Sequence, residues 1–198
     1  MIKYLSIITA SLFIFISCNT DKSWSRVVYD KDFYDVFFDE HPSSYPWYII
    51  KDDDGSFSSI FGNENIDVTD TILMYHTAKS ITNHQGGYDE MDFCIAHKNG
   101  DTLFLHFPPA LPAYWLALDV TIVGNKFKAE ASGIPFQDIK LEWETIKQEL
   151  VLQNNTTNVG DSIKGKFYIE FTEKIKGEQE KYPFYFSIVF KTVIEELS

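Results

Sequence analysis

The fold of this chain is decided by the stretch Asp92-Phe-Cys-Ile-Ala-His-Lys-Asn-Gly-Asp-Thr-Leu-Phe-Leu-His-Phe107. Two mainly apolar runs flank Lys98-Asn-Gly-Asp101, and Asn-Gly favours a two-residue hairpin turn because both residues tolerate a positive φ. Apolar side chains alternate with other residues on each run: Phe93 and Ile95 on the first, Leu103, Leu105 and Phe107 on the second. The stretch therefore predicts an antiparallel β-hairpin.

The register of this hairpin bears on its two histidines. Counted outward from Asn99-Gly100, His97 is expected opposite Thr102 and His106 opposite Phe93. Side chains interact across a sheet when they lie directly opposite each other on one face. The sequence therefore does not predict His97 and His106 as a metal pair.

The C-terminal third carries a second alternating pattern. Apolar side chains alternate with polar ones over 163–171 and again over 184–190, with a charged segment at 173–181 between them. An antiparallel sheet that covers a core is expected to have one apolar face and one solvent-exposed polar face. We predict a second hairpin here, with 173–181 as an exposed loop.

Shorter strands are predicted along the rest of the chain. A further hairpin is expected around Gly124-Asn125, with Tyr114–Val123 and Lys126–Ala131 as its strands. Residues 30–40 suit either a short helix or a strand. The remaining predicted strands are Tyr45–Ile50, a segment from Phe57, Thr71–Ala78, Ile139–Trp143 and Glu149–Leu152. About ten short strands at close spacing predict a mainly β fold, an antiparallel sandwich or a barrel-like domain.

The first eighteen residues, MIKYLSIITASLFIFISC, have the parts of a secretory signal. Lys3 gives the positive start, residues 4–16 are almost wholly apolar, and Ser17 is small. The run Phe15-Ile-Ser-Cys18 resembles a lipobox, although Phe15 stands where leucine is usual. We predict a signal peptide and signal helix over 1–17, a lipidated tether over 18–25 and a single β-rich domain over 26–198.

The resemblance to bacterial lipoproteins implies two or three acyl chains, palmitate among them, on Cys18. Each buried methylene contributes about 0.8 kcal/mol, and one chain alone binds a membrane only marginally. Several chains would make the anchor effectively permanent. The predicted partner through Cys18 is therefore the membrane.

The net negative charge of the chain argues against some classes of binding partner. The signal holds one of the 17 basic residues and none of the 29 acidic ones, so the mature chain has 16 basic residues and a net charge of −13. Proteins that bind nucleic acid present basic patches, and so do those attracted to anionic lipid headgroups. The composition therefore argues against nucleic acid as a partner.

Motifs for catalysis, metals and cofactors are not found in the sequence. The run Asp52-Asp-Asp-Gly55 predicts a turn. It fails as an EF-hand loop because Ile50 stands at the first required position. Cys94 has no disulfide partner once Cys18 carries lipid, and is expected to be a buried, inert thiol. An enzyme would be favoured only if His76, His84 and Asp89 surrounded one cavity.

Aromatic residues make up 16% of the chain, and some lie beside prolines rather than in alternating strands. These are Trp47, Tyr48, Tyr114 and Trp115. Exposed Trp and Tyr side chains stack on sugars and anchor protein interfaces, whereas buried ones pack in the core. A stacking platform for a glycan and ordinary packing both stay open.

The mature chain resembles the small lipoproteins common in Bacteroidota. The resemblance rests on Phe15-Ile-Ser-Cys18, on the lysine- and aromatic-rich β composition, and on Val159–Phe167, which is similar to a GD-x-I-x-G motif at the start of a strand. It implies an outer-membrane location facing either side. We expect a non-enzymatic domain that binds a partner protein, with carbohydrate binding as the alternative.

Overall fold

The computed structural model describes residues 24–39, 43–44, 49–51, 57–59, 74–83, 91–109, 115–134, 141–155, 157–177 and 179–197. Of Trp115 and of several short strands it describes the backbone alone. The predicted signal peptide, the lipidation site Cys18 and the predicted turn at residues 52–55 lie outside these ranges.

Strands dominate the described part of the chain. The short ones are β1 (Ser25–Arg26), β2 (Val28–Tyr29), β3 (Ser43–Ser44), β4 (Ile49–Lys51), β5 (Phe57–Ser59), β6 (Met74–Tyr75) and β7 (Ala78–Thr82). The longer ones are β8 (Ile95–Asn99), β9 (Thr102–Phe107), β10 (Trp115–Val123), β11 (Lys126–Ile134), β12 (Leu141–Leu152), β13 (Ser162–Ile175) and β14 (Tyr182–Glu196). The predicted mainly β fold is confirmed.

Ten of these strands form one sheet that is nearly closed into a barrel. The path runs β1-β11-β10-β9-β8-β14-β13-β12-β2, and β7 pairs with β14 beside it. The two ends of the path meet in the segment 25–29, here named the latch, in which β1 pairs with β11 and β2 with β12. Val27 between them is buried, and its N–H donates to the Asn125 carbonyl at 2.9 Å. The latch therefore holds the two ends of the sheet together.

The hairpin over residues 92–107 is confirmed, but its turn lies one residue later than predicted. Asn99 pairs with Thr102, so Gly100 and Asp101 form the turn, and Gly100 takes the positive φ of 57°. His97 therefore opposes Phe104, and His106 opposes Ile95. The predicted pairings of His97 with Thr102 and of His106 with Phe93 were wrong, because the first residue of the turn is Gly100 and not Asn99.

The first arm of this hairpin turns its smaller residues inward. Ala96 pairs with Leu105 and shares its buried face, and Cys94 is buried on the same side. Ile95 is exposed. Cross-strand partners lie on one face of a sheet, so the inner face of the hairpin combines small residues of the first arm with bulky residues of the second.

The hairpin around Gly124-Asn125 is confirmed. Val123 pairs with Lys126, and Gly124 has a φ of 60°. The pairing continues to Trp115 opposite Ile134, three residues beyond the predicted end of the return strand. Tyr114, the predicted first residue of the hairpin, lies outside the described ranges.

The C-terminal hairpin is also confirmed, and its strands are longer than predicted. Glu173 pairs with both Trp143 and Tyr182, so residues 173–175 belong to β13 rather than to the predicted loop. Side chains buried from β13 and β14 meet those of β9 and β11 in an aromatic core: Phe107, Phe127, Phe167, Phe171, Phe186 and Phe190. The rings of Phe107 and Phe167 stack at 5.6 Å between centroids. This core fills the barrel with apolar surface, the main favourable term in folding.

The two short strands predicted at 139–143 and 149–152 are a single strand, β12. Its pairing with β13 shifts between Thr145 and Lys147, which leaves Ile146 as an extra residue that is 56% exposed. Such a β-bulge reverses the alternation of side chains partway along a strand. The period-two pattern is therefore broken at the bulge, and the sequence looks like two strands.

The predicted strand Thr71–Ala78 is divided in the structure. Residues 76 and 77 separate β6 from β7, and residues 71–73 lie outside the described ranges. The Thr77 hydroxyl accepts the Cys94 N–H at 2.7 Å and donates to the Cys94 carbonyl at 3.1 Å. This side chain satisfies both backbone groups of Cys94, while the Thr77 carbonyl accepts the Lys191 N–H at 2.8 Å.

Residues 36–38 form a 3-10 helix, which settles the choice between helix and strand for this segment. The Asp35 carboxylate accepts the Phe37 N–H at 3.0 Å and caps the turn. Among the described residues no helix has the length and apolarity to cross a membrane.

The run Val159–Phe167 combines a turn with the start of a long buried strand. Gly160 has a φ of 89°, and its N–H donates to the Ile194 carbonyl at 2.8 Å. Ile194 in turn donates to the Asp161 carbonyl at 3.0 Å. Gly165 follows at a position where the backbone of β12 comes very close. Both glycines of the motif therefore have a structural role.

Candidate functional site

A cleft lies at the seam of the barrel, where the edges of β11 and β12 face each other beyond the latch. Its volume is about 610 Å³, within the usual range for ligand sites of about 300–1,000 Å³. It is lined by Ser25, Lys128, Ala129, Glu130, Ala131, Trp143, Thr145, Ile146, Lys147 and Gln148. We refer to it as the seam cleft.

The edges are open because the latch is short. β1 pairs only with residues 126 and 127 of β11, and β2 pairs only with residues 151 and 152 of β12. Among the described residues, 128–134 and 141–150 have no strand partner on the seam side. Strand edges of this kind present backbone N–H and C=O groups to a ligand.

Gln148 crosses the seam near the latch. Its Oε1 accepts the Ala129 N–H at 2.8 Å, and its Nε2 donates to the Ser25 hydroxyl at 3.0 Å. A side-chain amide thus satisfies a backbone donor that a neighbouring strand would otherwise satisfy. Gln148 closes one end of the cleft.

The walls of the cleft differ in size. Ala129 and Ala131 give β11 a shallow wall, whereas Trp143 projects from β12 and packs against the core. The Trp143 indole N–H donates to Glu173 Oε2 at 2.9 Å, which fixes the orientation of the ring. An indole face beside small residues, hydroxyls and an amide is suited to a ligand with both apolar and polar parts.

The charged side chains at the rim are paired with one another. Lys128 Nζ lies 2.5 Å from Glu130 Oε1, and Lys147 Nζ lies 2.9 Å from Glu149 Oε1. The hydrogen bond with Glu149 raises the pKa of Lys147. The positive and negative charges of these pairs therefore cancel locally at the rim.

A second polar cluster spans β9, β10 and β11 on the outer face of the barrel. His106 Nδ1 lies 2.7 Å from Asp119 Oδ1, and the Ser132 hydroxyl donates to Asp119 Oδ2 at 2.7 Å. The hydrogen bond with His106 lowers the pKa of Asp119. The serine contacts the carboxylate rather than the imidazole, so the cluster lacks the nucleophile–base contact of a catalytic triad.

Two tyrosines stack on the outer face of β13 and β14. The rings of Tyr168 and Tyr185 lie 6.3 Å apart at 22°, and Lys147 Nζ lies 5.2 Å from the centre of the Tyr168 ring. Both side chains are half-buried. They form an aromatic ledge beside the rim of the seam cleft.

Most residues predicted for function lie outside the described ranges. They are Cys18, Trp47, Tyr48 and Tyr114, while Trp115 begins β10 and only its backbone is described. The predicted stacking platform is therefore not tested. Of the residues proposed to enclose an enzyme cavity, His84 and Asp89 also lie outside, and His76 Nε2 lies 3.8 Å from Asp92 Oδ2.

The predicted burial of Cys94 is confirmed. Its side chain is buried, and burial raises the pKa of the thiol well above its usual value. A thiol held protonated is a poor nucleophile and a poor ligand. Within the ranges that the structure covers, no three potential ligands from His, Cys, Asp and Glu come together to hold a metal ion.

The sequence pattern did not reveal the seam cleft. Trp143 and Gln148 fall in the segment where the bulge at residue 146 reverses the alternation, and the opening depends on the short pairing of β1 and β2. One signal was present: Gln148 is a polar residue that shares its face with Leu150 and Leu152 once the bulge is passed.

Comparison with known proteins gives no relatives. No family model matches the chain, and none of the curated proteins or solved structures is detectably similar to it. The proposals for function therefore rest on the sequence and on the geometry of the seam cleft.

Proposed function

We propose that this protein is a lipid-anchored lipoprotein of the cell envelope whose β domain is a non-enzymatic binding module, with the seam cleft as its binding site. The observation that carries the binding role is the cleft of about 610 Å³ between the two open strand edges. Such a cleft presents backbone groups, an indole and an amide together.

The anchor is supported by the sequence alone. A short apolar segment with one lysine before it ends at Ser17-Cys18, where a thioether-linked lipid would attach. The outer membrane is the expected location, and the domain faces either the periplasm or the outside of the cell.

The anchor is tested by replacing Cys18 with serine. Wild-type protein should enter the membrane fraction, and its N-terminal peptide should carry the mass of acyl chains. Cys18→Ser protein should lose both properties, whereas Cys94→Ser should keep them. Equal membrane association of wild type and Cys18→Ser would reject the lipoprotein proposal.

The binding site is tested by photo-crosslinking from two exposed positions. A crosslinking residue at position 146 lies at the cleft, while one at position 193 lies on β14, which is separated from β12 by β13. Both native side chains are exposed, at 56% and 51%. The partner captured from intact cells at 146 should be absent at 193.

The captured partner is then purified and titrated directly. Trp143→Ala should weaken its affinity by about tenfold or more, as expected for a central aromatic contact. Tyr34→Ala, an exposed aromatic of the N-terminal segment, is the matched control and should have little effect. Equal capture at both positions, or no effect of Trp143→Ala, would reject the seam cleft as the site.

Carbohydrate binding is the second candidate, favoured by the stacked rings of Tyr168 and Tyr185. Flat aromatic surfaces stack on the apolar faces of sugar rings. Affinity electrophoresis in soluble glucan and mannan gels measures this directly. The wild type should be retarded, and Tyr168→Ala with Tyr185→Ala should migrate freely.

A further inference from the structure

We infer that the end of the barrel at which the latch lies rests on the surface of the lipid bilayer and is held there by apolar side chains around its rim. This inference rests on the proposed lipid anchor at Cys18, to which it adds an orientation of the domain and a second contact with the membrane. It does not depend on what the seam cleft binds.

This end of the barrel, here named the latch end, is defined by the strands that begin or end there. Neighbouring long strands are antiparallel, so their ends lie close together: Val123 of β10, Lys126 of β11, Leu152 of β12 and Ser162 of β13. The latch pairs with residues 126–127 and 151–152. The N-terminal segment therefore joins the fold at this end.

The predicted tether keeps the latch end close to the membrane. Trp24 directly precedes the latch, and the seven residues from Cys18 to Trp24 span at most about 25 Å even when fully extended. The opposite end is farther away, because the 14 residues of β13 extend over roughly 40 Å at about 3.3 Å per residue. A tether of this length brings the latch end to the bilayer more readily than the opposite end.

Five exposed apolar side chains surround the latch end, and the exposed fraction of each lies between 40% and 54%. They are Val28, Tyr29, Val123, Val159 and Leu197. Their places in the chain are the latch, the β10–β11 turn, the connection between β12 and β13, and the segment that follows β14. Because these places are distributed around the rim, an end-on contact with a flat surface can reach several of them together.

Backbone hydrogen bonds hold two of these segments in place. The Leu197 N–H donates to the Lys98 carbonyl at 3.0 Å, beside the β8–β9 turn. The Gly160 N–H donates to the Ile194 carbonyl at 2.8 Å, directly after Val159. The fold thus keeps apolar side chains in contact with water, and a surface that covers them lowers the free energy.

The chemistry of the rim fits a bilayer surface of low net charge. Valine and leucine side chains can enter the boundary between headgroups and acyl chains, and tyrosine is enriched at this boundary because its ring is apolar and its hydroxyl is polar. Arg26 and Lys126 are exposed at the latch end, but so are Asp101, Glu195 and Glu196. Because these charges are mixed, attraction to anionic headgroups does not drive the contact.

The anchor makes a weak contact sufficient. A surface joined to its target by a short linker meets that target at an effective concentration in the millimolar range. Partial burial of a few half-exposed side chains is then enough to keep the domain docked for most of the time.

The test uses the mature lipidated chain in phosphatidylcholine vesicles, with a fluorescent label at one end of the barrel or the other. Asp101 in the β8–β9 turn lies at the latch end, and Lys176 after β13 lies at the opposite end; both are exposed. Each is replaced by cysteine and labelled with nitrobenzoxadiazole, whereas Cys94 is buried, its pKa is raised, and it should not react. With nitroxide-labelled lipid in the vesicles, the label at position 101 should be quenched and the label at position 176 should not.

Two matched double variants show whether the apolar side chains hold the domain on the membrane. Val123→Asp with Val159→Asp changes two positions of the latch end, whereas Ile81→Asp with Ile95→Asp adds the same charge at exposed apolar positions of β7 and β8. The first pair should lower the ratio of docked to undocked chains, measured by quenching at position 101, by about tenfold or more. The second pair should change that ratio by less than about twofold.

Equal quenching at the two positions, quenching at position 176 alone, or quenching at neither would overturn the inference. An equal effect of the two double variants would overturn it as well. The failure of the proposed anchor looks different. A membrane-bound protein with acyl chains on Cys18 but no quenching at position 101 would keep the lipoprotein proposal and reject only the contact at the latch end. A protein without acyl chains would reject the anchor and this inference together.

Discussion

At the scale of single residues, Gly165 has almost no free space beside its Cα. It lies in β13 between Leu152 of β12 and Phe190 of β14. A Cβ built there would overlap the Val151 carbonyl oxygen and would lie 2.9 Å from Leu152 Cδ2 and from Phe190 Cζ. The nearest of these atoms belongs to the backbone, which cannot move without disturbing the β12–β13 ladder.

Gly165→Ala is therefore expected to lower the free energy of unfolding by about 1–3 kcal/mol or more, the usual cost of overpacking a core. Ser162→Ala, at an exposed position of the same strand, should change it by less than about 0.5 kcal/mol. Urea unfolding followed by tryptophan fluorescence measures both. Equal midpoints for the two variants would show that β12 and β13 separate more easily than the structure indicates.

Asp119 gives a pH-dependent contribution to stability. The hydrogen bond with His106 lowers the pKa of this carboxyl in the folded state. The folded chain thus binds the proton less tightly than the unfolded chain, so the stabilisation is present above the unfolded pKa of about 3.9. It is lost as the pH falls through the lower, folded pKa. Its size is modest because the side chain is 46% exposed.

We expect Asp119→Asn to be less stable than wild type at pH 7, with a difference that shrinks as the pH falls through the lowered pKa of the carboxyl. Urea midpoints across this range, with Asp101→Asn in the exposed β8–β9 turn as the control, measure the effect. A difference that stays constant down to the acid limit would mean that the carboxylate charge contributes nothing.

At the scale of elements, alternation and glycine turns made the long hairpins predictable from sequence. The strands over 163–171 and 184–190 pair as their pattern indicates, with Phe167 opposite Ile188. Gly124 takes the positive φ that its turn requires. Alternation and turn glycines involve residues that are close together in the chain, so they can be recognised in a single sequence.

The elements that form the candidate site could not be predicted in the same way. The bulge at Ile146 shifts the register of β12 against β13, and this depends on a partner strand about 25 residues later in the chain. The latch is equally non-local, since two residues of β1 and two of β2 pair with strands about 100 or more residues away. Sequence alternation cannot contain information about such distant contacts.

The latch itself leads to a prediction about closure of the barrel. Val27→Asp places a carboxylate at a position that is 3% exposed, whereas Val28→Asp places it at one that is 54% exposed. We expect the first to destabilise by about 2–4 kcal/mol because a buried, unpaired charge is costly. The second should cost less than about 0.5 kcal/mol.

Hydrogen exchange shows whether the latch acts locally. In Val27→Asp, exchange should accelerate at Phe127, which β1 covers, more than at Ile169, deep in the β13–β14 pair. Similar acceleration at both positions would contradict the latch as a separate closing element and indicate global unfolding.

At the scale of the whole molecule, two opposing electrostatic effects decide how salt changes stability. Surface ion pairs such as Lys181 with Glu144 are weakened by salt, but exposed pairs of this kind contribute only about 0–1 kcal/mol each. Against them stands the self-repulsion of a chain with a net charge of −12, which salt reduces. Because the acidic excess of 12 charges is larger than the four Lys–Glu pairs found among the described residues, we expect repulsion to be the larger effect.

We therefore expect the Tm of the lipid-free chain beginning at Asn19 to rise when NaCl increases from about 10 mM to about 200 mM, since the Debye length falls from about 30 Å to below 10 Å. Scanning calorimetry at pH 7 measures this, with equal concentrations of sucrose excluding a general solute effect. The same comparison at about pH 4.7, near the isoelectric point, should show little or no rise because the net charge is close to zero. A Tm that falls with salt at pH 7 would mean that the paired lysines and carboxylates along β11, β12 and β13 stabilise the barrel more than the acidic excess destabilises it.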